Sequence, residues 1–437
     1  MLYISVNIRL RMDGTEVTFR RSSRIRHWIR GFSIGFIISV VVSVLALLGH
    51  FRPYENPFTA VLQQVLGKKS QDLALVFITQ DEYENGFKAT SPLSRKRLAR
   101  LIDVLAGLGA RVIALDIDLS DATSQDPQFL AAVNRAAEKG IPVVIPSILS
   151  PKPSLPDSAQ AYTALHPYLP ETHEKTDKGD TLYQGTGLDT SLGRAVIHGG
   201  SVFTLDRDGV FRNARAFYHT DTGVIPAFPL ALAGAYLGLS GPEITRALEG
   251  RHHHNIALGK EPAVNIHYGS KGKITPNFLG NYEHFERVIH VQALLDTYGS
   301  DTSSAGKTIF RDKAVLIGGV FDKNDFYPTP VGRMSGMEII ANTAQNIITG
   351  GLISHLSFWK AFGLEVLLGA VVALVFILLT PMRATLACLL LLMPVVVAVS
   401  LAAFSSALYW FDFIPTIAGV MLHGIISKIE ENAHETA

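Results

Sequence analysis

The sequence contains one cysteine in 437 residues, and that residue, Cys388, lies inside a long apolar run. A single cysteine excludes an intramolecular disulfide and a zinc site built from several thiolates. Any domain outside the cytoplasm must then be stabilised by its hydrophobic core alone. The glycine-rich fingerprints that bind phosphate groups are also absent, so no cofactor is expected.

Charged residues are scarce as well. They make up 18% of the chain, against 48% hydrophobic residues, and the formal net charge is +1. A nucleic-acid-binding protein carries a clear positive excess, so no nucleic acid is expected as a partner. The one local bias lies in the first thirty residues, which hold seven arginines and two carboxylates. This balance indicates a chain that is part membrane-embedded and part water-soluble.

Four apolar segments have the composition of membrane-spanning helices, which need about 20 residues to cross the hydrocarbon core. The sequence predicts a basic cytoplasmic N-terminus, a signal anchor, three C-terminal transmembrane helices and a cytoplasmic tail, which are residues 1–30, 31–50, 358–380, 384–408, 411–427 and 428–437. Basic residues favour the cytoplasmic side, so Arg383 and Lys428 are expected inside and residues 52–357 outside. A cleaved signal peptide is the alternative for 31–50, but ALLGHFR lacks a small-x-small cleavage site.

The region 52–357 alternates buried-strand runs with helical patterns. Strand-like runs lie at 73–79, 111–117, 141–148, 263–268 and 312–319, and helical patterns lie at 94–110, 126–140, 227–239, 242–250 and 337–351. Residues 150–195 are interpreted as a long surface excursion, and Asp206–Gly209 as a hairpin turn between two strands. Continuous aliphatic strands joined by helices predict an α/β fold with a mostly parallel sheet covered by helices on both faces.

Several motifs occur in an ordered set along this region. They are ITQDEYE (78–84), SRKRLARLIDVLAGLGARVIALDIDLSD (94–121), a D-x-D-G-x-x-R turn (206–212), P-x-F-P (226–229), VLIGG (315–319) and GMEIIANTAQNI (336–347). The set resembles the second type of the CHASE family, the extracellular sensory domains of bacterial cyclases and histidine kinases. The resemblance covers roughly residues 55–357, and the three trailing helices follow the family's plan.

The resemblance implies a multi-pass protein of the bacterial cytoplasmic membrane with a large extracytoplasmic sensory domain that signals across the membrane. No kinase, cyclase or phosphatase domain follows the last helix of this sequence. The signal is therefore expected to leave through the helices to a homodimer partner or to a separate effector protein. Membrane lipid is the other expected partner.

Carboxylates follow the predicted strands at their C-terminal ends. They are Asp81, Asp116, Asp118, Asp322 and Asp325. Ligands of open parallel sheets bind beyond this edge, and converging carboxylates bind a cation, share protons or pair with bases. These five residues are thus the predicted site for an unknown small ligand or cation. The alternative is that they cap helices and pair with Arg95, Lys96 and Arg97.

Three functions remain open at this point. The first is a non-enzymatic sensor or accessory receptor that binds a ligand or partner and passes its state to an effector. The second is a structural scaffold of an envelope complex. The third, with less support, is a metal-dependent extracytoplasmic hydrolase, for which the sequence offers no HExxH motif. No catalytic residue and no metal ligand is assigned.

Overall fold

The structure is a computed structural model, and the chain divides into two compact units. One, here called the α/β unit, is Thr59–Ile353, and the other, the helical unit, combines Met1–Phe58 with Ser354–Ala437. The described residues are 9–12, 15–18, 22–47, 63, 70–121, 123–151, 182–186, 196–206, 208–221, 223–251, 254–260, 262–299, 309–321 and 325–435.

The described strands and helices follow in chain order. The strands are β1 Arg9–Met12, β2 Thr15–Thr18, β3 Ser70–Ile78, β4 Val112–Asp116, β5 Val143–Pro151, β6 Leu182–Thr186, β7 Val196–Ser201, β8 Ala214–Arg215, β9 Phe217–Thr220, β10 Gly223–Pro226, β11 Asn255–Leu258, β12 Val264–His267, β13 Lys273–Ile274, β14 Phe285–His290, β15 Ala314–Gly319, β16 Phe326–Thr329, β17 Gly332–Ser335, β18 Ser354–His355 and β19 Tyr409–Trp410. The helices are α1 Ser22–Leu47, α2 Arg95–Gly107, α3 Asp126–Glu138, α4 Phe228–Tyr236, α5 Gly241–Glu249, α6 Val291–Tyr298, α7 Gly336–Thr349, α8 Phe358–Leu378, α9 Pro381–Ala407 and α10 Ile414–Glu435. Short π or 3-10 turns occupy Glu82–Gly86, Ser270–Gly272 and Tyr282–His284.

The α/β unit is built on one central sheet. Its strand order is β10-β9-β6-β5-β4-β15-β3-β14, and β7 also pairs with β5. Strands β7, β5, β4, β15, β3 and β14 run parallel to their neighbours, whereas β5–β6 and β9–β10 are antiparallel pairs. The predicted mixed α/β fold with a mostly parallel sheet is confirmed.

Side chains of β3 alternate between two hydrophobic layers. Leu73 and Leu75 pack with residues of α4 and α7, while Ala74 and Val76 pack with residues of α2, α3 and α6. Successive side chains of a strand point to opposite faces, so burial on both sides requires an uninterrupted apolar run. The aliphatic run therefore places β3 at the centre of the unit.

Two expectations on the connections differ from the structure. The turn at Asp206–Gly209 forms, because the Gly209 N–H donates to the Asp206 carbonyl at 2.9 Å. The Asp206 N–H also donates to the Val210 carbonyl at 3.0 Å, but the described residues on either side of the turn form no strand ladder. The Phe211 N–H donates instead to the Pro328 carbonyl at 2.7 Å, so the expected pair of strands is not formed. Within the expected excursion 150–195, β6 belongs to the sheet, and most of the remainder lies outside the described residues.

Helix α7 carries buried amide side chains along one face. The Leu279 N–H donates to Asn342 Oδ1 at 2.9 Å, and Asn342 Nδ2 donates to the Gly280 carbonyl at 3.1 Å. One turn later, Asn346 Nδ2 donates to the Asn277 carbonyl at 3.1 Å, and Asn346 Oδ1 accepts from the Asn277 N–H. The backbone groups of residues 277–280 therefore form hydrogen bonds with side chains of α7, as they would otherwise form them with a neighbouring strand.

Glu338 completes this polar row at the start of α7. Its Oε2 accepts from the Ser335 N–H at 2.7 Å and from Ser335 Oγ at 2.8 Å, which forms a capping box. Its Oε1 accepts from the Tyr282 N–H at 2.8 Å. Glu338 therefore stabilises the helix start and the backbone beside it together.

The helical unit brings α1 and α8 into close contact. A Cβ added at Gly35 would lie 2.9 Å from Ala373 Cβ and 3.2 Å from the Gly369 carbonyl oxygen. Glycine at both positions lets the two backbones approach, as is typical of membrane helices. A Cβ at Gly363, in contrast, would meet nothing within 4 Å. Gly369 therefore packs against α1 of the same chain, whereas Gly363 has free space beside it.

The expected count of four membrane spans is corrected. Among the described residues, two helices are long and apolar enough to cross a membrane, Trp359–Leu378 and Pro381–Ala407. The apolar parts of α1 and α10 are shorter, Phe32–Ala46 and Ile414–Ile429. Length is the physical reason. A helix rises only about 1.5 Å per residue, so these two apolar stretches are shorter than the roughly 20 residues that a membrane span needs.

Helix α9 also begins earlier than its predicted start at residue 384. The expected turn Pro381–Arg383 forms its first helical turn, with Pro381 just after the N-cap Thr380. Proline suits this position because its missing N–H would have no helical acceptor there. A π-helical turn at Cys388–Leu392 precedes Pro394, where a proline inside a helix requires local adjustment.

Replacing Asn342 by alanine is expected to destabilise the α/β unit. The change leaves the Leu279 N–H and the Gly280 carbonyl without these partners, which should lower the free energy of unfolding by about 2–4 kcal/mol. Urea unfolding of the detergent-solubilised full chain, followed by circular dichroism, measures this. Thr349→Ala on the exposed last turn of α7 is the matched control, and equal stability of the two variants would contradict the role of Asn342.

Candidate functional site

The C-terminal edge of the sheet has a point where the chain connections diverge. Strands β3 and β15 are neighbours, and α2 after β3 packs in the layer opposite to α7, which follows β15. Such divergence opens a crevice in doubly wound sheets and is where their ligands bind. The predicted carboxylates belong to the loops around this position.

Two of the five predicted residues are brought together here. Asp116 ends β4 and is half-buried, and a Cβ on the adjacent Gly318 of β15 would lie 3.2 Å from Asp116 Cβ. Asp325 lies at the start of α7, since a Cβ on Gly336 would be 2.6 Å from its Oδ1. Burial, followed by the charge of Asp325, raises the pKa of Asp116 to about 7. A proton on Asp116 near neutral pH therefore avoids a buried negative charge close to that of Asp325.

The other three predicted residues are not part of this pair. Asp81 is exposed and accepts from Asn85 Nδ2 at 2.6 Å, and Asp118 is exposed and accepts from the Ser120 N–H at 2.9 Å. Asp322 lies outside the described residues. Among the residues that the structure describes, no three His, Cys, Asp or Glu side chains form a group that could hold a metal ion. The five-residue site stays a prediction.

An aromatic pair lies across the crevice. Tyr83 follows β3 and Phe321 follows β15, and their rings stack with centroids 4.2 Å apart at 7°. Stacking of this kind stabilises a contact by about 0.5–1.5 kcal/mol beyond the area it buries. A ligand that enters the crevice must therefore displace these rings or bind beside them.

Glu82, which the sequence interpretation passed over, connects β3 to α6. Its carboxylate is buried and accepts from the Thr79 N–H at 2.8 Å and from the Gln292 N–H at 2.6 Å. The acceptor position beside the first N–H groups of α6 also complements that helix's dipole. Its burial next to the exposed Asp81 has no sequence signal, because both residues lie in the same acidic run.

A cavity of about 580 Å³ lies beside the N-terminus of α2. Five basic residues line this cavity, which is hereafter called the basic cavity. No carboxylate is among its described lining residues. The five basic residues are Lys88, Arg95, Lys96, Arg97 and Arg100. From the sequence, Arg95, Lys96 and Arg97 were expected only as partners of the strand-end aspartates. The missed signal is the run of cations in the first turn of a helix, where acidic residues are usual.

Arg95 is the most buried of these cations, with a side chain that is 1% exposed. Its Nε lies 3.4 Å from Asp126 Oδ1, and its Nη2 donates to the Asp121 carbonyl at 3.1 Å. Its Nη1 has no hydrogen-bond partner among the described residues. Burial lowers the pKa of Arg95, and the charges of Asp126, Asp118 and Asp121 oppose that shift.

The fold and this edge define a class: a mostly parallel α/β domain in a chain that also carries apolar helices long enough to cross a membrane. The sequence profile of the CHASE2 domain matches residues 37–379, which is more than half of the chain. The chain therefore belongs to the CHASE2 domain family of extracellular sensory domains, as its resemblance predicted. No curated protein and no solved structure matches it.

The raised pKa of Asp116 predicts a pH-dependent stability. The ordinary pKa is 3.8 and the folded value is about 7, so the folded chain holds a proton that the unfolded chain has already lost. Stability should fall as the pH rises through this window and level off above it. At about 1.4 kcal/mol per pKa unit, the loss has an upper limit of about 4 kcal/mol.

Asp116→Asn removes this titration and should make the chain more stable than wild type at pH 8, with no such gain near pH 3. Urea unfolding of the full chain at several pH values measures the slope. Asp118→Asn, which removes an exposed carboxyl just after the same strand, is expected to keep the wild-type slope. A wild-type stability that does not change between pH 4 and 8 would contradict the assignment.

Proposed function

We propose that this protein is a membrane-anchored sensor that acts by binding rather than by catalysis and passes its state through its helices. One observation carries the proposal, and it concerns α7. The first turn of α7 lies against Asp325 at the C-terminal edge of the sheet, and the chain after its last turn runs through β18 into α8. A helix of fourteen residues is about 21 Å long, so α7 links that edge to the segment before the membrane helix.

The polar row makes α7 suitable for this task. Glu338, Asn342 and Asn346 each hold backbone of the same neighbouring stretch, so α7 is expected to move with that stretch as one body. A ligand that shifts the population of two such arrangements changes the position of the helix end. This argument favours a sensor over a passive scaffold, in which the link from the edge to α8 would have no purpose.

The proposed setting is a bacterial cytoplasmic membrane with the α/β unit on the outer side. The positive-inside rule supports this orientation, since Arg383 lies in the first turn of α9, directly after α8 and between the two candidate spans. Membrane lipid and either a second copy of the chain or a separate effector are the proposed partners. Because Gly369 is used against α1, the open face at Gly363 is the better position for a partner helix.

The orientation can be tested with single cysteines. In a Cys388→Ala background, Lys139→Cys on the α/β unit is expected to react with a membrane-impermeant maleimide in intact cells. Arg383→Cys is the matched control and should react only after the cells are permeabilised. Both positions are exposed, so access decides the result. Labelling of Arg383→Cys alone in intact cells would reverse the proposed orientation.

Transmission along α7 can be tested by hydrogen exchange of the detergent-solubilised full chain. Asp325→Ala removes a negative charge from the positive end of the α7 dipole and should speed amide exchange in α7 and in residues 352–362. Glu138→Ala, which removes an exposed carboxylate on α3, is the matched control.

Inserting Gly-Ser-Gly-Ser after Gly351 breaks the link between α7 and α8. In that background, Asp325→Ala should speed exchange in α7 only. If residues 352–362 exchange at the wild-type rate in Asp325→Ala without the insertion, transmission through α7 is wrong and the scaffold function is favoured.

A further inference from the structure

The N-terminus of α2 has an unusual charge arrangement for a helix. Its first three residues, Arg95, Lys96 and Arg97, are all basic, and its first turn contains no acidic residue. Cations at this end of a helix are disfavoured by the helix dipole, which favours anions there. Ser94 Oγ does not cap the helix, because it donates to Gln125 Oε1 at 3.0 Å. The same Gln125 oxygen is neutral and accepts from the Lys96 N–H at 3.0 Å, so it satisfies one N–H of the first turn without offsetting the three positive charges. The arrangement is stabilised if an anion binds in front of the helix.

Arg95 provides an independent observation. A guanidinium that is 1% exposed normally has all its donors satisfied, yet the buried Nη1 of Arg95 has no partner among the described residues. Arg95 is also one of the residues that line the basic cavity. The ion pair with Asp126 occupies Nε, and the Asp121 carbonyl occupies Nη2. One buried donor therefore remains without a described partner in a fixed cation that lines the basic cavity.

Arg97 is held in the same wall by contacts that leave one donor open. Its Nη1 donates to the Gly86 carbonyl at 3.0 Å and its Nη2 to Gln292 Oε1 at 2.6 Å, while the guanidinium lies over the Phe87 ring at 5.0 Å. Its buried Nε has no partner among the described residues. Two arginines are thus pre-positioned, which reduces the entropy lost when an anion binds.

The size and walls of the cavity indicate what kind of anion fits. About 580 Å³ is in the range of small-molecule sites, which is more than a bare phosphate or carboxylate ion needs. Phe87, Pro92, Leu93 and Leu295 supply apolar surface next to the cations. We infer that the basic cavity binds a small organic anion, with its carboxylate or phosphate group held by Arg95 and Arg97 and its apolar part against these walls.

This inference rests on the proposed sensory function and names the ligand class for it. It also moves the site from the strand-end carboxylates to the loops after β3 and β4 that flank α2. The carboxylate pair Asp116 and Asp325 would repel an anion, whereas the basic cavity would attract one. Exposed Lys96 and Arg100 at the mouth add long-range attraction without taking part in the core of α2.

The test uses the detergent-solubilised full chain and three probes: inorganic phosphate, phenyl phosphate and benzoate. Each is titrated at constant ionic strength and pH 7.5 while the melting temperature is recorded. A ligand that binds the folded chain raises the melting temperature with concentration. Phenyl phosphate and benzoate are expected to act at lower concentration than inorganic phosphate, because their rings contact the apolar walls.

The double variant Lys96→Gln with Arg100→Gln removes two exposed cations of the basic cavity and should weaken the binding of phenyl phosphate by about fivefold or more. Lys139→Gln, which removes one exposed cation on α3, should bind like wild type. Lys88→Gln is a second variant on a different loop, and it keeps the test decisive if the double variant is unstable. Wild-type affinity in the double variant and in Lys88→Gln would overturn the inference.

Two outcomes separate this inference from the proposed function. If no probe raises the melting temperature while Asp325→Ala still alters residues 352–362, the anion is wrong and the sensory function stands. If the probes bind but Asp325→Ala leaves residues 352–362 unchanged, the anion site stands and transmission through α7 is wrong.

Discussion

The requirement that buried polar groups find partners governs the arrangement of the α/β unit around α7. Asn342 and Asn346 lie in the core, where an unpaired amide would be strongly unfavourable, and both pair with backbone groups of the stretch that begins at Asn277. Asn342 Nδ2 also donates to the Glu338 carbonyl of its own helix at 2.8 Å. Gln345 extends the same logic to β3, since it accepts from Ser70 Oγ at 2.6 Å and donates to Asp72 at 2.7 Å. The helix is thereby tied to the central strand and to a connecting segment by directional contacts.

The sequence was sufficient for the centre of the fold and insufficient for its edges. Leu73, Leu75 and their neighbours in β3 are buried on both faces, and such strands must be continuously apolar, which is a pattern that can be read directly. Strand β14, FERVIH, has one buried residue and, among the described strands, pairs only with β3, so neither alternation nor an apolar run marked it. The stretch GMEIIANTAQNI was noticed as a motif, but only the folded chain shows that its amides pair with backbone.

The candidate site shows the same division. The strand-end rule placed Asp116 and Asp325 at one edge of the sheet, and the charge of Asp325 does act on Asp116 there. The partner of Arg95 could not be predicted, because the sequence offers several aspartates close by, whereas the fold supplies Asp126 from the next helix. Chain proximity therefore suggested that the cations are neutralised by the predicted carboxylates, and the structure places them around a separate cavity.

The two helices that begin at this edge of the sheet do so next to opposite charges. Helix α7 begins beside a carboxylate, and α2 begins with basic residues. On the α7 side, Asp325 complements the helix dipole, so the start of α7 is electrostatically satisfied without a ligand. On the α2 side, Arg95 and Lys96 oppose the dipole, so an anion bound in front of α2 would stabilise the start of that helix further. Binding is therefore expected to tighten α2 and the loop after β3, which carries Tyr83. Because Tyr83 stacks on Phe321, a few residues before Asp325, the tightened loop has a direct contact through which it can bias α7. A rigid helix held by paired amides would respond to such a bias as a body, since no single contact of its polar row can shift without disturbing the others.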